Sequence, residues 1–304
     1  MSEPSDKRRR TVFCSASFII PREYIMKKFL ICACAVALAG SVYLWWGNNS
    51  LTVSRYEISN PKIPSGFGGF RILQLSDVHN KDFGGRLSEK VKSLSPDIIV
   101  ITGDLIDSRR TDISVAEKLI GELTPIAPVY YITGNHESRI EEYSVLREAL
   151  EKNGIEILGG KTVDIEKNGE KITLTGINDA TFFGSGKLNE KVVIFARELK
   201  ELAENKGSGF GILLSHRPEL VDIYADCGFD LALTGHAHGV QIRLPLIGGI
   251  FAPNQGFFPE YDAGKYEKNG TSMIVSRGLG NSLFPFRTGN RPDIVLCELI
   301  GEIK

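Results

Sequence analysis

Five histidines are the residues of this sequence whose positions point most directly to chemistry. Each follows an apolar run of strand-like composition, where a polar or glycine-containing turn begins. A lone histidine is more often structural than a ligand, but ligands of open α/β sheets bind at the carboxyl ends of strands. Strand ends that meet at one edge would bring all five imidazoles into one site. They are His79, His136, His216, His236 and His238.

Carboxylate and amide side chains accompany these histidines with spacings that suit metal binding. Asp77 and His79 are separated by one residue, so both can reach one ion from the same loop. Asp104 follows Gly103, and one carboxylate can bridge two cations held about 3.5–4 Å apart. Asn135 adds a neutral amide oxygen. Histidine combined with carboxylate favours Mn, Fe, Zn or Co over Ca, which prefers oxygen ligands alone.

Strand-like runs alternate with helical stretches, which predicts an α/β domain with much of its sheet buried. The runs before the polar turns are 71–75, 98–102, 129–133, 211–214 and 231–234, and the stretches with helical spacing are 113–123, 143–153 and 192–204. Between Gly154 and Gly176, the runs 155–158, 162–165 and 171–174 have the pattern of hairpins, with Asn168-Gly169 as a turn. These three runs predict a second sheet, and 272–276 and 293–299 predict two further strands.

The order of the polar residues resembles the five motifs of the calcineurin-like metallophosphoesterases. The matching segments are Asp77-x-His79, Gly103-Asp104, Gly134-Asn135-His136-Glu137, His216 and Gly235-His236-x-His238. One such motif alone is weakly specific, whereas the full set in this order is highly specific. We therefore expect a four-layer α-β-β-α sandwich, in which two mixed sheets are flanked by helices.

Two further segments resemble a narrower branch of that family, its bacterial membrane-anchored phosphodiesterase-like members. They are residues 238–245, HGVQIRLP, and residues 276–280, SRGLG. Val240 departs from the glycine that is usual at its position. The branch favours a phosphodiester or pyrophosphate over a monoester as the bond that is hydrolysed.

The resemblance implies a dinuclear centre of two divalent metals, with manganese, iron, zinc or cobalt as the candidates. Asp104 would bridge the metals together with a water or hydroxide, which would attack the phosphorus in line. The ligands of one metal would be Asp77, His79 and His238, and those of the other would be Asn135, His216 and His236.

His136 would be the catalytic residue that binds no metal. The resemblance implies that it faces the scissile phosphate and donates a proton to the leaving oxygen or stabilises charge there. We expect Glu137 to lie behind the ligands or to act as a charge at a helix N-terminus, and Asp107 to support the Asp104 loop. Residues 134–139, GNHESR, also resemble Ser/Thr protein phosphatases, but Asp107-Ser108-Arg109 displaces the arginine of their Asp-Arg-Gly motif.

Composition argues against several other functions. The formal net charge of −1 over 304 residues gives no overall basic field, which disfavours a nucleic-acid partner. The five cysteines are odd in number and include no CxxC pair, so they predict neither a disulfide framework nor a zinc–thiolate site.

The N-terminal region predicts a membrane anchor. Residues 1–28 form a polar, basic tail, and residues 29–46, FLICACAVALAGSVYLWW, carry no charge and end in aromatic residues typical of a membrane interface. A cleaved secretory signal is the alternative, because Ala37-Leu38-Ala39 offers small residues for cleavage. Lys27 and Lys28 before the apolar run favour a single pass with the body outside the cytoplasm. Residues 47–69 would form a linker with the first strand, and residues 70–304 the metallophosphoesterase domain.

The sequence thus predicts a membrane-anchored phosphoesterase for a small-molecule, lipid-linked or cell-envelope substrate. Two alternatives stay open. One is a pyrophosphatase for a UDP-diacylglucosamine-type substrate of lipid A biosynthesis, which needs a site on the cytoplasmic face. The other is a membrane protein that binds metal without catalysis, against which the intact His136 argues.

Residues 239–271 carry apolar side chains among many Gly and Pro, without a helical period. These side chains either pack as core at a sheet edge or form an apolar wall beside the site that admits an acyl or prenyl chain. Phe257 and Phe258 are the pair that distinguishes the two interpretations.

Overall fold

A computed structural model of the chain describes residues 22–240, 243–244, 248–249, 251–252, 254–281 and 284–301. The chain divides after Tyr43 into two units, Met1–Tyr43 and Leu44–Lys304. Most of the predicted basic tail and several positions of the 239–271 segment lie outside the described residues.

The described residues form helices α1–α6 and strands β1–β16 in chain order. The helices are α1 (Arg22–Asn49), α2 (Arg86–Leu94), α3 (Ile113–Leu123), α4 (Tyr143–Lys152), α5 (Leu188–Glu204) and α6 (Val221–Asp226). The strands are β1 (Thr52–Ser59), β2 (Phe70–Leu75), β3 (Ile98–Thr102), β4 (Val129–Ile132), β5 (Glu156–Ile157), β6 (Lys161–Lys167), β7 (Glu170–Gly176), β8 (Gly211–Leu214), β9 (Leu231–Thr234), β10 (Arg243–Leu244), β11 (Gly248–Gly249), β12 (Phe251–Ala252), β13 (Gly256–Phe257), β14 (Gly264–Lys268), β15 (Thr271–Val275) and β16 (Asp293–Ile300).

Two six-stranded sheets carry the body. The first has the order β1-β16-β2-β3-β4-β5, and all of its pairs are parallel except β16 with β2. The second has the order β14-β15-β9-β8-β7-β6, and its central strands β15, β9, β8 and β7 are parallel. Because antiparallel pairs occur in each sheet, both sheets are mixed, as predicted.

Strand alternation divides the apolar residues among three packed layers. In β2, Ile72 belongs to the core between the two sheets, whereas the next residue, Leu73, belongs to the core under α2, α3 and α4. In β8, Ile212 belongs to the core between the sheets, whereas Leu213 packs with α5 and α6. Successive side chains of a strand point to opposite faces, so each sheet buries both faces. The predicted four-layer α-β-β-α sandwich is therefore confirmed.

Most of the predicted elements lie within one or two residues of the observed ones. Helix α5 begins at Leu188, four residues before the predicted start, and α2, α6 and β14 were not predicted. The second-sheet prediction was correct for β6 and β7, which form the hairpin, but wrong for 155–158. There the short strand β5 pairs in parallel with β4 and extends the first sheet instead.

Strand β1 lies in the stretch predicted as a linker with the first strand. It pairs in parallel with β16 along its whole length, from Thr52 opposite Asp293 to Ser59 opposite Ile300. The chain therefore enters the first sheet well before Phe70.

Helix α1 contains the whole predicted anchor. It is the one helix among the described residues that is long and apolar enough to cross a membrane, judged by length and composition. Its exposed aromatic residues Trp45 and Trp46 stand near its end, as expected of side chains at a membrane interface.

Phe257 and Phe258 are 72% and 69% exposed. The interpretation that this pair packs as core is therefore wrong, because core side chains are removed from solvent. The apolar-wall interpretation stays a prediction.

Candidate metal centre

The polar residues identified in the sequence stand where strands of both sheets end. Asp77, Asp104 and Asn135 follow β2, β3 and β4 of the first sheet, whereas His216 and His236 follow β8 and β9 of the second. Within each sheet these strands are parallel, so their carboxyl ends meet at one edge. All seven expected ligands and His136 are buried. The structure thus brings the eight predicted site residues together.

The first group of donors consists of Asp77, His79, Asp104 and His238, whose ligand atoms all lie within 4.8 Å of one another. The Nε2 atoms of His79 and His238 are 3.1 Å apart, and His238 Nε2 lies 3.4 Å from Asp77 Oδ1. In neutral rings one Nε2–H can donate to the other Nε2, and a metal ion bound by both nitrogens would take the place of that proton. The group could therefore hold a metal ion.

The second group consists of Asp104, His216 and His236, with Asn135 beside them. His216 Nε2 lies 3.2 Å from His236 Nδ1 and 3.3 Å from Asn135 Oδ1. The Nδ1 atom of His216 is 2.8 Å from the carbonyl oxygen of Thr102. In the neutral imidazole Nδ1 therefore carries the proton, which leaves the Nε2 lone pair directed at the group.

Asp104 belongs to both groups through a single oxygen. Its Oδ2 atom lies 3.5 Å from His79 Nε2 and 3.3 Å from His216 Nε2. Its other oxygen, Oδ1, accepts a hydrogen bond of 2.8 Å from the backbone N–H of His136. This bond fixes the rotation of the carboxylate, so that one oxygen is held at the midpoint between the two groups.

Burial and charge set the protonation of the donors. Burial lowers the pKa of His79 to about 3 and holds those of His236 and His238 well below the usual value, so these imidazoles are neutral. Burial alone would also lower the pKa of His216, but the nearby carboxylates, Asp104 first among them, outweigh it and raise that pKa to about 10. The centre therefore attracts positive charge, which a bound cation would supply in place of the proton.

His136 stands beside the first group with a defined tautomer. Its Nδ1 atom accepts a hydrogen bond of 3.0 Å from the backbone N–H of Ser108, so Nε2 carries the proton of the neutral ring. Burial lowers the pKa of His136 despite the opposing charges of Asp104 and Asp107. Its ring packs edge-on against His79, with 4.5 Å between centroids.

Glu137 supports the Asp104 loop. Its buried carboxylate accepts hydrogen bonds from four backbone N–H groups, those of Asp104 (3.0 Å), Leu105 (2.8 Å), Ile106 (3.3 Å) and Gly134 (2.7 Å). This position behind the ligands agrees with one of the two expectations for Glu137, although the sequence did not reveal which groups it would bind. The Asp107 carboxylate accepts a hydrogen bond of 2.9 Å from the backbone N–H of Arg109 and pairs with the Arg109 guanidinium at 2.6 Å, so its support of the loop stays a prediction.

The ligand loops have an unusual backbone. Five of the seven expected ligands have positive φ angles, which non-glycine residues rarely adopt: Asp77 (52°), His79 (48°), Asp104 (50°), His236 (64°) and His238 (53°). Such strain persists where the surrounding structure enforces it and is concentrated at functional sites. The ligand loops are also closely packed, so that only glycine fits at two positions. A Cβ at Gly134 would collide with Asp104 Oδ1, and a Cβ at Gly235 would collide with Asp77 Oδ2.

Comparison with known proteins agrees with this geometry. The family profile of the calcineurin-like phosphoesterases matches residues 70–240, more than half of the chain. The chain belongs to the calcineurin-like phosphoesterase family. It is therefore a metal-dependent phosphohydrolase.

Three relatives illustrate the range of similar proteins. Metallophosphoesterase YkuE of Bacillus subtilis is 28% identical over 91% of this chain and 96% of its own length. Phosphodiesterase YaeI of Escherichia coli is 27% identical over 76% of this chain and 82% of its own length. A transmembrane protein with a metallophosphoesterase domain from Danio rerio is 29% identical over 78% of this chain and 55% of its own length.

In this phosphoesterase, His236 has two polar neighbours that the sequence did not reveal. Its Nε2 atom lies 2.7 Å from the side-chain amide of Asn254 and 3.4 Å from Arg217 Nη1. Both neighbouring atoms are N–H donors, so Nε2 is placed to accept hydrogen bonds from Asn254 Nδ2 and Arg217 Nη1. The Arg217 guanidinium is held by both oxygens of Asp179, at 2.7 and 3.2 Å.

A buried arginine supports the loop behind Asp77. Arg287 is fully buried and donates to the carbonyl oxygens of Arg277 (3.0 Å) and Gly280 (3.1 Å). The backbone N–H of Gly280 in turn donates to the carbonyl oxygen of Asp77 at 2.6 Å. Arg287 thereby fixes the SRGLG segment, residues 276–280, against the first group.

A cleft of about 830 Å³ opens beside the first group. Its lining includes His79, the basic side chains of Lys81, Arg109 and Arg110, and the carboxylates of Asp107 and Asp112. The cleft is therefore polar and charged, and its opening beside the metal centre suits a polar substrate.

Replacing Glu137 with Gln tests its support of the Asp104 loop. The amide NH₂ would face backbone N–H groups, so we expect the free energy of unfolding to fall by about 3 kcal/mol and bound metal to be lost. Chemical denaturation and metal analysis measure the two effects. The exposed neighbour Glu141→Gln serves as the control and should change neither. Unchanged stability and metal content in Glu137→Gln would show that the loop is held in another way.

Proposed function

We propose that this centre binds two divalent transition-metal ions and uses them to hydrolyse a phosphodiester or pyrophosphate bond. The observation that supports the proposal is the position of Asp104 Oδ2, within 3.5 Å of His79 Nε2 and 3.3 Å of His216 Nε2. Seven clustered donors exceed what one ion of four to six ligands needs. A carboxylate oxygen shared by two groups is the arrangement expected of a bridging ligand.

The donors divide naturally between two ions. Asp77, His79 and His238 would hold the first, Asn135, His216 and His236 the second, and Asp104 both. When bound, two divalent cations neutralise phosphoryl oxygens and lower the pKa of a coordinated water, which supplies the nucleophile. Imidazole and carboxylate donors suit manganese, iron, zinc or cobalt.

His136 is the proton donor in this proposal. The oxygen of water bonds to phosphorus, and the bond from phosphorus to the leaving oxygen breaks. The leaving oxygen takes a proton from His136 Nε2, and the proton that the attacking water gives up returns to that ring. The hydrogen bond from the Ser108 backbone N–H to Nδ1 keeps the proton on Nε2. A general acid must lie within hydrogen-bond reach of the leaving atom, and the His136 ring packs against His79, which lines the cleft.

The preference for a diester or pyrophosphate rests on two similarities. Residues 276–280 and the segment after His238 resemble the phosphodiesterase-like branch, and a relative over 76% of the chain is named a phosphodiesterase. The substrate would be a small phosphoester, a lipid-linked one or one of the cell envelope.

We further infer that helix α1 is an uncleaved anchor and that the body lies outside the cytoplasm. The length and composition of α1 and the transmembrane relative support anchoring. Lys27 and Lys28 on the N-terminal side of the apolar run support the orientation.

Metal analysis tests the dinuclear centre. We expect the Mn-loaded full chain to hold about two ions, since seven donors serve two sites. Asp104→Ala should lower occupancy at both sites because its oxygen is shared, whereas His79→Ala should empty mainly one. Asp164→Ala, a change on the solvent side of β6, is the control. A stoichiometry of one ion after Mn loading excludes two metals.

His136→Ala tests the proton donor. The variant should keep both metals and lose roughly 10²–10⁴ in rate on a diester with a poor leaving group. The loss should be smaller for a p-nitrophenolate leaving group, which needs little protonation. Steady-state rates on the two substrates give the ratio. Near-full activity on the poor leaving group would assign the proton transfer elsewhere.

Protease treatment of intact cells or spheroplasts tests the orientation. A body outside the cytoplasm should be removed, because no membrane shields it. A cytoplasmic control protein should survive the same treatment. Full protection of the body would reverse the orientation and favour the UDP-diacylglucosamine-type pyrophosphatase.

A further inference from the structure

The wall of the cleft opposite the metal centre comes from the end of helix α1. Asn48 and Asn49, its last two residues, line the cleft together with Asn281 and Pro285. Lys81 Nζ donates to the carbonyl oxygen of Asn48, and Asn281 Nδ2 donates to Asn48 Oδ1 at 2.8 Å. The helix end is therefore built into the cleft.

Other contacts fix the same helix end on the body. Arg86 Nη1 donates to the carbonyl oxygen of Asn49 at 3.2 Å, and the Arg291 guanidinium lies 4.7 Å from the ring centre of Trp46. Arg291 also donates to Ser50 Oγ at 2.9 Å. Residues 46–50 thus have a defined position beside the first group of donors.

The apolar run of the anchor ends close to this wall. Trp46 is its last residue and Asn48 follows two positions later, which is about 3 Å at the rise of an α-helix. Whatever direction the helix takes before Leu44, the wall of the cleft stays within a few ångströms of the end of the apolar run. A bilayer surface at the end of the run would therefore be close to the cleft.

Two aromatic side chains flank the cleft residue Pro285. Phe284 and Phe286 are 49% and 45% exposed. Exposed aromatic residues are costly to hydrate and are enriched where proteins meet the membrane interface. The next residue, Arg287, is fully buried and ties this segment to the loop behind Asp77.

The cations of the cleft suit a phosphate-bearing head group. Among the described residues, no carboxylate forms an ion pair with Arg110, whose side chain lines the cleft. Arg109 is different, because its guanidinium already binds Asp107. Unpaired cations near a bilayer surface attract anionic head groups.

We propose that the substrate is a phosphoester carried by a bilayer lipid, whose head group enters the cleft between Asn48 and Arg110 while its acyl or alkyl chains stay in the membrane. This inference rests on the proposed function and specifies its substrate class. Phe284 and Phe286 contact the membrane beside the cleft and hold its mouth at the lipid surface. A soluble phosphoester as the true substrate is the competing outcome of the test.

The test compares two phosphodiesters that share the leaving group and differ in one alcohol, ethyl p-nitrophenyl phosphate and hexadecyl p-nitrophenyl phosphate. The full chain is reconstituted with Mn in phosphatidylcholine vesicles, and kcat/KM is measured for both esters. Anchoring alone concentrates enzyme and long-chain ester on one bilayer. The decisive quantity is therefore the change in the hexadecyl-to-ethyl ratio caused by substitutions at the cleft mouth.

The double variant Phe284→Ser with Phe286→Ser should lower that ratio about tenfold, because two apolar membrane contacts are lost. Its matched control is Val145→Ser with Val193→Ser, which removes two exposed apolar side chains from α4 and α5 and should leave the ratio unchanged. Metal content and the rate on the ethyl ester report folding. If the double variant loses metal, the milder Phe286→Ser alone should still lower the ratio about threefold.

A ratio unchanged in the cleft variants, or a wild-type preference for the ethyl ester, overturns the lipid inference and leaves the phosphodiesterase proposal standing. Absence of hydrolysis of both esters and of a pyrophosphate substrate by the Mn-loaded wild type overturns the proposed function itself. The two failures are therefore distinguishable.

Discussion

The Asp104 carboxylate must hold one oxygen between two groups of imidazoles, and much of the surrounding structure serves that requirement. The His136 backbone N–H binds Oδ1 and so directs Oδ2 to the midpoint. Glu137 gathers four backbone N–H groups and thereby fixes the loop that carries Asp104. A buried carboxylate in a dry site costs free energy unless hydrogen bonds or cations compensate. The loop therefore depends on its hydrogen bonds to Glu137, and the buried Asp104 carboxylate depends on positive charge beside it.

Backbone strain is the second constraint, and it is local. Left-handed ligand residues such as Asp77 and His236 cost of order 1–3 kcal/mol each, which the two packed sheets must offset. Gly134 and Gly235 allow the loops to approach one another, since a Cβ at either position would collide with an aspartate carboxylate. The tight turns at the ends of the buried strands thus direct the ligand side chains into the site. Without these turns the side chains would follow the strand direction.

The sequence predicted the candidate ligands more completely than the residues that hold them in place. The aspartates and histidines follow long apolar runs in a family-specific order, so both their location and their clustering were readable. For Glu137 only a position behind the ligands or at a helix N-terminus could be expected, because backbone N–H partners leave no pattern of residue types. Asn254 approaches His236 from a segment without periodicity, so nothing in the sequence connects the two.

The helices and strands also differ in how well the sequence predicted them. Strands of four to eight residues with apolar runs were predicted from the sequence. The two-residue strand β5 was assigned to the wrong sheet, because so short a run has no readable period. Helix α2 has only Leu87, Val91 and Leu94 on its buried face, too few apolar positions to stand out. Phe257 and Phe258 were weighed as core because apolar type alone does not reveal exposure.

The buried side chain of Gln74 lies beneath the centre and joins the two sheets. Its amide nitrogen donates to Thr102 Oγ1 in the first sheet at 2.9 Å and to the carbonyl oxygen of Thr234 in the second at 2.8 Å. Each donor group likewise draws on both sheets, since His238 joins Asp77 and Asn135 joins His216. Neither group can assemble before the sheets have docked, so the centre is a late product of folding. Once bound, a cation would act as a cross-link that opposes separation of the two halves of the sandwich.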